Sequence, residues 1–305
     1  MAEGNTIGIF LARIPEHMIV PPRAPAMFAS WERKRYLRLR RDVDRRRFLV
    51  GRLLVRHGLS VMSDQGLTPD QWRFCRNAHG RPMLEPDFFP DSLDFNISTS
   101  GTLVVVAVST AESVGLDLEE LDNKEQLHIP VALSAREQAF LDRLPARSQY
   151  ETSLRIWTVK EAVAKLVGLG LSLDLTSFSV LPEANILRVR FGPDFPFSLG
   201  KPRISQARIS CAGSSYLLSL ATATEVRTEK NRKNGITVLP IRIPVRAGSI
   251  RCSLAKMGGE WHVDTVSAIQ SGIWGFPGRH ESGEHCLAAI RRKGVIVSHA
   301  PASPL

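Results

Sequence analysis

Cysteine is scarce in this 305-residue chain, and its four copies, Cys75, Cys211, Cys252 and Cys286, lie far apart. That scatter excludes a disulfide framework and a zinc ribbon, and leaves thiols expected to be reduced and buried. Long apolar runs are also missing. The longest, such as "LVVVAV" from Leu103 to Val108, have the length of a strand, far short of the roughly 18 residues that a membrane helix requires. The opening "MAEGNTIGIFLARIPEHMIVPP" has no basic region followed by a long apolar stretch, so no secretory signal is visible. A cytoplasmic location without membrane attachment is expected.

What is present suits a soluble globular protein: 43% hydrophobic and 23% charged residues, in a chain long enough for two domains or one large one. The net charge of +10 is unevenly spread. Trp31 to Arg56 holds eleven Lys/Arg against three Asp/Glu, and Val226 to Leu305 holds twelve against five, which leaves the rest of the chain mildly acidic. A polyanionic partner follows naturally from such zones. Nucleic acid fits poorly, because aromatics are sparse in both zones and no recognition motif of the usual kinds occurs.

Periodicity divides the chain into elements. "WERKRYLRLRRDVDRRRFLVGRLLVRHGLS" predicts a basic helix leading into a packed one, with Phe48, Leu49, Leu53 and Val55 as core residues. "GRPML" follows a polar turn, and "LDFNISTSGTLVVVAVST" reads as strand, turn, strand. In "SVGLDLEEL" the apolar residues alternate, so Asp117 and Glu119 share a face, roughly 6.5 to 7 Å apart. Ser134 with Glu137 three residues later is a capping box. A long helix from about residue 148 to Val167 ends at Gly168 and Gly170, with Ile156, Val159, Val163 and Val167 on its apolar face. Four short strands follow, to about Ala223. Beyond a basic linker, "TEVRTEKNRKNG", the tail suggests a hairpin, a short helix at "EHCLAAIRRKG" and a disordered end. His280, His285 and Cys286 match no strong zinc spacing.

Glu161 and Lys165 lie on the long helix nearly opposite its main apolar face, yet Leu154, Trp157 and Ala164 lie beside them. Taken singly, the pair is a helix ion pair worth about 0.2 to 0.5 kcal/mol, and Asp117 with Glu119 is a solvated strand face. Taken together, the apolar neighbours imply that this second helix side is covered, by the strand of Asp117. Carboxylates gathered under cover need a cation to remain ionised. Three hard oxygen ligands suit Mg²⁺, which completes its shell with water and substrate phosphate.

"VGLDLEE" followed about forty residues later by "WTVKEAVAKLVGLGLSL" resembles the paired signature motifs of 4'-phosphopantetheinyl transferases of the Sfp type. "RRRFLVGRLLVR", "GRPML", "FNISTSG" and "LSLDLTSFSV" extend the resemblance through most of residues 30 to 223. It implies an α+β fold: a pseudo-twofold pair of lobes, 1–112 and 113–224, each a small mainly antiparallel sheet on a long helix. Residues 225–305 form an extension, either an appended module or an aberrant tail. It further implies a monomer that moves the phosphopantetheine arm of coenzyme A to a serine of an apo acyl or peptidyl carrier protein, releasing adenosine 3',5'-bisphosphate.

The resemblance also assigns residues. Asp117 and Glu161 bind Mg²⁺, with Glu119 ligating directly or through water. Glu161, or a water it orients, takes the serine proton, and Lys165 stabilises or protonates the leaving phosphate. Lys160 assists with the phosphates, Arg81 neighbours the adenine or a phosphate, Ser98 supports the 3'-phosphate region, and Arg35 and Arg47 fall near basic phosphate-binding positions. One departure stands out. Where the family reads N-x-S-H-S, Thr99 replaces the histidine and cannot become cationic. Weaker coenzyme A binding is expected, and a catalytically weakened relative is the competing possibility.

Overall fold

The computed structural model describes residues 7–14, 18–89, 93–110, 112–122, 132–183, 186–193, 195, 202–211 and 213–223, and the backbone of four short strands beyond them. In chain order these form β1 (Ile7–Arg13), α1 (Ser30–Arg38), α2 (Asp42–Met62), β2 (Phe74–Arg76), β3 (Pro82–Leu84), β4 (Asp94–Ser100), β5 (Leu103–Ser109) and β6 (Ser113–Glu120). Then come α3 (Ala135–Leu141), α4 (Ala146–Val167), β7 (Phe178–Glu183), β8 (Ile186–Phe191), β9 (Arg203–Cys211) and β10 (Ser214–Ala223). The tail contributes β11 (Ile236–Pro240), β12 (Lys256–Met257), β13 (Glu260–Val263) and β14 (Leu287–Arg291).

The class is α+β, as the sequence predicts. One antiparallel sheet, in the order β14-β1-β5-β4, carries α2; a second, in which β6, β10 and β9 are antiparallel neighbours, carries α4. β7 and β8 pair antiparallel, while β11 and β13 run parallel to β9. The hairpin expected in the tail is present as β12 and β13. The helix expected at "EHCLAAIRRKG" is not: Leu287–Arg291 is a strand paired with β1. Five residues at sheet-edge spacing gain a full ladder of backbone bonds there, and this tertiary gain overrides local helix preference. The linker, the terminal "SHAPASPL" and His280, His285 and Cys286 lie outside the described residues.

The β5 run "LVVVAV", Leu103 to Val108, is apolar at every position because both its faces are buried. Val104, Val106 and Val108 join the core under α2, with Phe10, Leu54 and Leu59. Leu103, Val105 and Ala107 face the other way, into a core shared with Val114, Leu116 and Leu118 of β6 and Leu218 of β10. The two sheets therefore pack against each other, and β6 presents Gly115, Asp117 and Glu119 to its opposite side, where α4 lies. A third core, around Ile156, Val159 and Val163, seals α4 on β7, β8 and β10.

The basic zone is only partly on the surface. Arg56 is fully buried, its guanidinium bonded to Glu32 at 2.6 and 3.2 Å and set 4.5 Å over the Phe74 ring. Arg52 stacks between Trp31 and Phe48, each 5.1 Å away. Burial and the neighbouring Arg56 push its pKa down to about 10, against the pull of Glu32. These arginines hold α1 on α2 and are unavailable to a polyanion. No helix among the described residues is long and apolar enough to cross a membrane.

Candidate active site

β4 reads D-F-N-I-S-T-S, and its alternation puts Asp94, Asn96, Ser98 and Ser100 on one face. That face meets the free edge of β6. Asp94 Oδ2 accepts from Val114 N–H (2.8 Å), Asn96 Oδ1 from Leu116 N–H (3.3 Å), Ser98 Oγ from Leu118 N–H (3.2 Å) and Ser100 Oγ from Glu120 N–H (2.9 Å). Side chains thus take the place of a backbone partner and satisfy donors that burial would otherwise orphan. This polar ladder sets β6 against the first sheet, and with it Asp117.

On the other side of β6, α4 approaches closely at Gly115, where a Cβ would fall 2.0 Å from Ala162 O. Only glycine allows this seat. It brings Lys165 onto Asp117: Nζ lies 2.6 Å from Oδ1 and 3.1 Å from Ser98 Oγ, which itself donates to the same oxygen at 3.0 Å. Asp117 is 3% exposed, and its Oδ2 is buried with no hydrogen-bond partner. Glu119 accepts from Trp157 Nε1 (3.2 Å) and Ser100 Oγ (3.2 Å). Burial and then the Asp117 charge push its pKa up to about 7, partly offset by those two hydrogen bonds and by Lys165. Burial also raises Glu161, with Asp117 adding to the shift and Lys165 opposing it. The helix side carrying Leu154, Trp157 and Ala164 is covered, as their presence suggests, and Leu154 packs with Leu121 and Leu217.

The structure therefore gathers Asp117, Glu119, Glu161, Lys165 and Ser98, and distributes the other predicted residues elsewhere. Lys160 requires correction. It is fully buried, donates to Ala132, Leu175 and Phe178 carbonyls at 2.7 to 3.0 Å, and pairs with Glu137 at 2.7 Å. Five positions before Lys165 on a helix of 100° per residue, it faces the core on the far side, so no phosphate reaches it. Glu137 is the capping-box residue of α3 and also accepts from Val180 N–H, so one ion pair joins α3, α4 and β7.

Arg81 is also engaged by protein: Nη1 donates to Leu166 O, and Nη2 to Asp94 Oδ2 and Val114 O. Arg47 donates through Nε and Nη2 to Gly101 O, at the β4–β5 turn beside Ser100. Arg35 and Thr99 are exposed, Thr99 on the β4 face away from Ser98. Sequence reasoning missed Asp94, Asn96 and Ser100. Their signal was available as short polar residues at every second position of a strand.

The magnesium expectation can be tested on these contacts. Among the described residues no group of three or more His, Cys, Asp and Glu side chains stands ready to hold a metal; Lys165 sits on Asp117 and Trp157 on Glu119. Magnesium, however, takes only one or two protein carboxylates and fills its shell with water and phosphate oxygens. The orphaned Oδ2 of Asp117, flanked by two carboxyls that burial makes reluctant to ionise, is the donor set such an ion would relieve. The residues fit.

A groove of about 850 Å³ opens between the first lobe and the residues just beyond the end of α4. Trp31, Arg76, Asn77 and His79 line it from one side, Leu169 and Ser172 from beyond the end of α4. Arg76 stacks 5.2 Å from the Trp31 ring centre, which gives the groove a flat cationic wall.

Fold and site together define an α+β enzyme with an acidic and ammonium cluster at the junction of two lobes. The description "4'-phosphopantetheinyl transferase, N-terminal" matches residues 23–111, and "4'-phosphopantetheinyl transferase superfamily" matches residues 113–212. A 4'-phosphopantetheinyl transferase of Bacillus pumilus is 36% identical over 202 residues, 66% of this chain and 77% of that protein. The transferase Sfp of Bacillus subtilis is 34% identical over 177 residues, 57% and 74% of the two chains. The holo-[acyl-carrier-protein] synthase of Thermotoga maritima aligns over 37% of this chain and 64% of its own at 19% identity, with a TM-score of 0.31. The chain belongs to the 4'-phosphopantetheinyl transferase family, is an enzyme of that family, and resembles its Sfp-type members.

Proposed function

We propose that the protein transfers the phosphopantetheine arm of coenzyme A to a serine hydroxyl of an apo acyl or peptidyl carrier protein, with Mg²⁺, and releases adenosine 3',5'-bisphosphate. The observation that carries this reading is the Asp117–Lys165–Ser98 contact, with Glu119 and Glu161 beside it and one Asp117 oxygen left without a partner. Membership of the transferase family supplies the reaction class. We divide the chain accordingly into lobes 1–112 and 113–224 and an extension, 225–305.

In this reading Asp117, Glu119 and Glu161 hold the metal, which when bound neutralises charge on the diphosphate. The groove between the lobes receives the nucleotide of coenzyme A, its purine against Trp31 and Arg76. The serine oxygen attacks the β-phosphorus; the new P–O bond forms as the bond to the α-phosphate oxygen breaks. Glu161, or a water it orients, accepts the serine proton, and burial strengthens it as a base at neutral pH. Lys165 leaves Asp117 to meet the negative charge growing on the departing phosphate, as an ammonium held on a rigid helix does without reorganisation of solvent.

The test is direct. Incubated with coenzyme A, Mg²⁺ and an apo carrier, the protein should add one phosphopantetheine to the carrier by mass, and chelation should stop it. Glu161→Gln and Asp117→Asn should each abolish the gain. Full turnover by Glu161→Gln removes the mechanism, and no gain in mass with any apo carrier removes the function.

A further inference from the structure

Arg81 stands beside the groove, but its charge is spent within the protein. Nη1 donates to Leu166 O at 3.0 Å, and Nη2 to Asp94 Oδ2 at 2.7 Å and Val114 O at 2.9 Å. One guanidinium thus joins β4, the start of β6 and the last turn of α4. Leu166 follows Lys165 directly. Asn77, from the same loop, donates through Nδ2 to Gly168 O at 2.9 Å, while its Oδ1 accepts from the backbone of His79 and Arg81. The last four carbonyls of a helix lack intrahelical donors, and their partial negative charge attracts a cation. Here the first lobe supplies both the donors and the cation.

We propose that Arg81 is a positioning residue that clamps the catalytic helix to the first lobe, and so fixes where Glu161 and Lys165 stand relative to Asp117. The inference rests on the transferase reading above. The close seat on Gly115, where a Cβ would meet Ala162 O at 2.0 Å, and the core around Ile156, Val159 and Val163 hold α4 within its own lobe, while Arg81, one turn beyond Ala162, ties its last turn to the first lobe. Releasing Arg81 leaves that last turn, which carries Lys165, without its guanidinium tie to the first lobe. A loosened last turn no longer holds Lys165 at one place beside the cluster, whereas the groove wall made by Trp31 and Arg76 belongs to other elements and stays.

A direct ligand and a clamp predict opposite kinetics. Arg81→Gln and Asp94→Ala are compared with the full chain by carrier labelling, calorimetric titration of coenzyme A, thermal melting and hydrogen exchange, with all assays run below each melting transition. The clamp requires that kcat fall by about tenfold or more in both variants, that the coenzyme A dissociation constant stay within about twofold, and that the double variant be no worse than the poorer single. Amide protection over 163–168 should fall in both. A raised dissociation constant with unchanged kcat in Arg81→Gln, and an unaffected Asp94→Ala, overturns the clamp in favour of direct contact. If the unaltered protein labels no carrier, the transferase reading fails, while hydrogen exchange still judges the clamp: unchanged protection over 163–168 overturns it.

Discussion

The proton on Glu119 offers the sharpest check of the site. Its pKa stands near 7 in the folded, metal-free protein, against an ordinary 4.5, because burial and Asp117 both oppose its charge. Between those values the folded chain keeps a proton that the unfolded chain has released. Stability therefore falls as pH rises, by about 1.4 kcal/mol per pH unit, to a total of roughly 3 kcal/mol above pH 7. This is an upper bound, since the side chain keeps some access to solvent. Glu119→Gln can still accept from Trp157 Nε1 without the charge. Urea denaturation in chelator at pH 5, 6, 7 and 8 should show the wild type losing ground to the variant with each step and levelling off near pH 8. A constant difference between the two proteins across this range would mean that Glu119 is not held in a buried acidic cluster, and the electrostatic account of the site would be wrong.

Three further outcomes are expected. Gly115→Ala should lower stability by about 1 to 3 kcal/mol or more through overpacking and abolish carrier labelling, because the new methyl lies 2.0 Å from Ala162 O; wild-type activity would show that α4 is not seated there. Lys160→Met should cost about 3 to 5 kcal/mol by stranding the Glu137 charge and leave coenzyme A affinity intact, whereas weakened affinity at unchanged stability would restore Lys160 as a ligand. Thr99→His should tighten coenzyme A binding by about 1 kcal/mol, roughly fivefold, with a larger gain below about pH 6.5, where imidazole is charged. An unchanged Michaelis constant for coenzyme A would show that residue 99 does not meet a phosphate.

Alternation and helical spacing made much of the molecule legible. The two-residue period of β6 placed Asp117 and Glu119 on one face, and the capping residues Ser134 and Gly168 bounded α3 and α4. The i,i+4 relation of Glu161 and Lys165, with apolar neighbours, signalled a helix covered on two sides. These inferences work because side-chain direction along a strand or helix is fixed locally by backbone geometry.

Tertiary packing decided the rest. Lys160 and Lys165 look equally suited to a phosphate in sequence, yet one is sealed against Glu137 and the other reaches Asp117. Arg81 reads as a neighbour of the adenine or a phosphate in "GRPML", and only the fold brings Asp94, Val114 and Leu166 within its reach. Leu287–Arg291 has a helix-compatible composition and becomes a strand on meeting the edge of β1. In each case the deciding partner is distant in the chain, and a local pattern carries no information about which remote donor, charge or sheet edge will arrive.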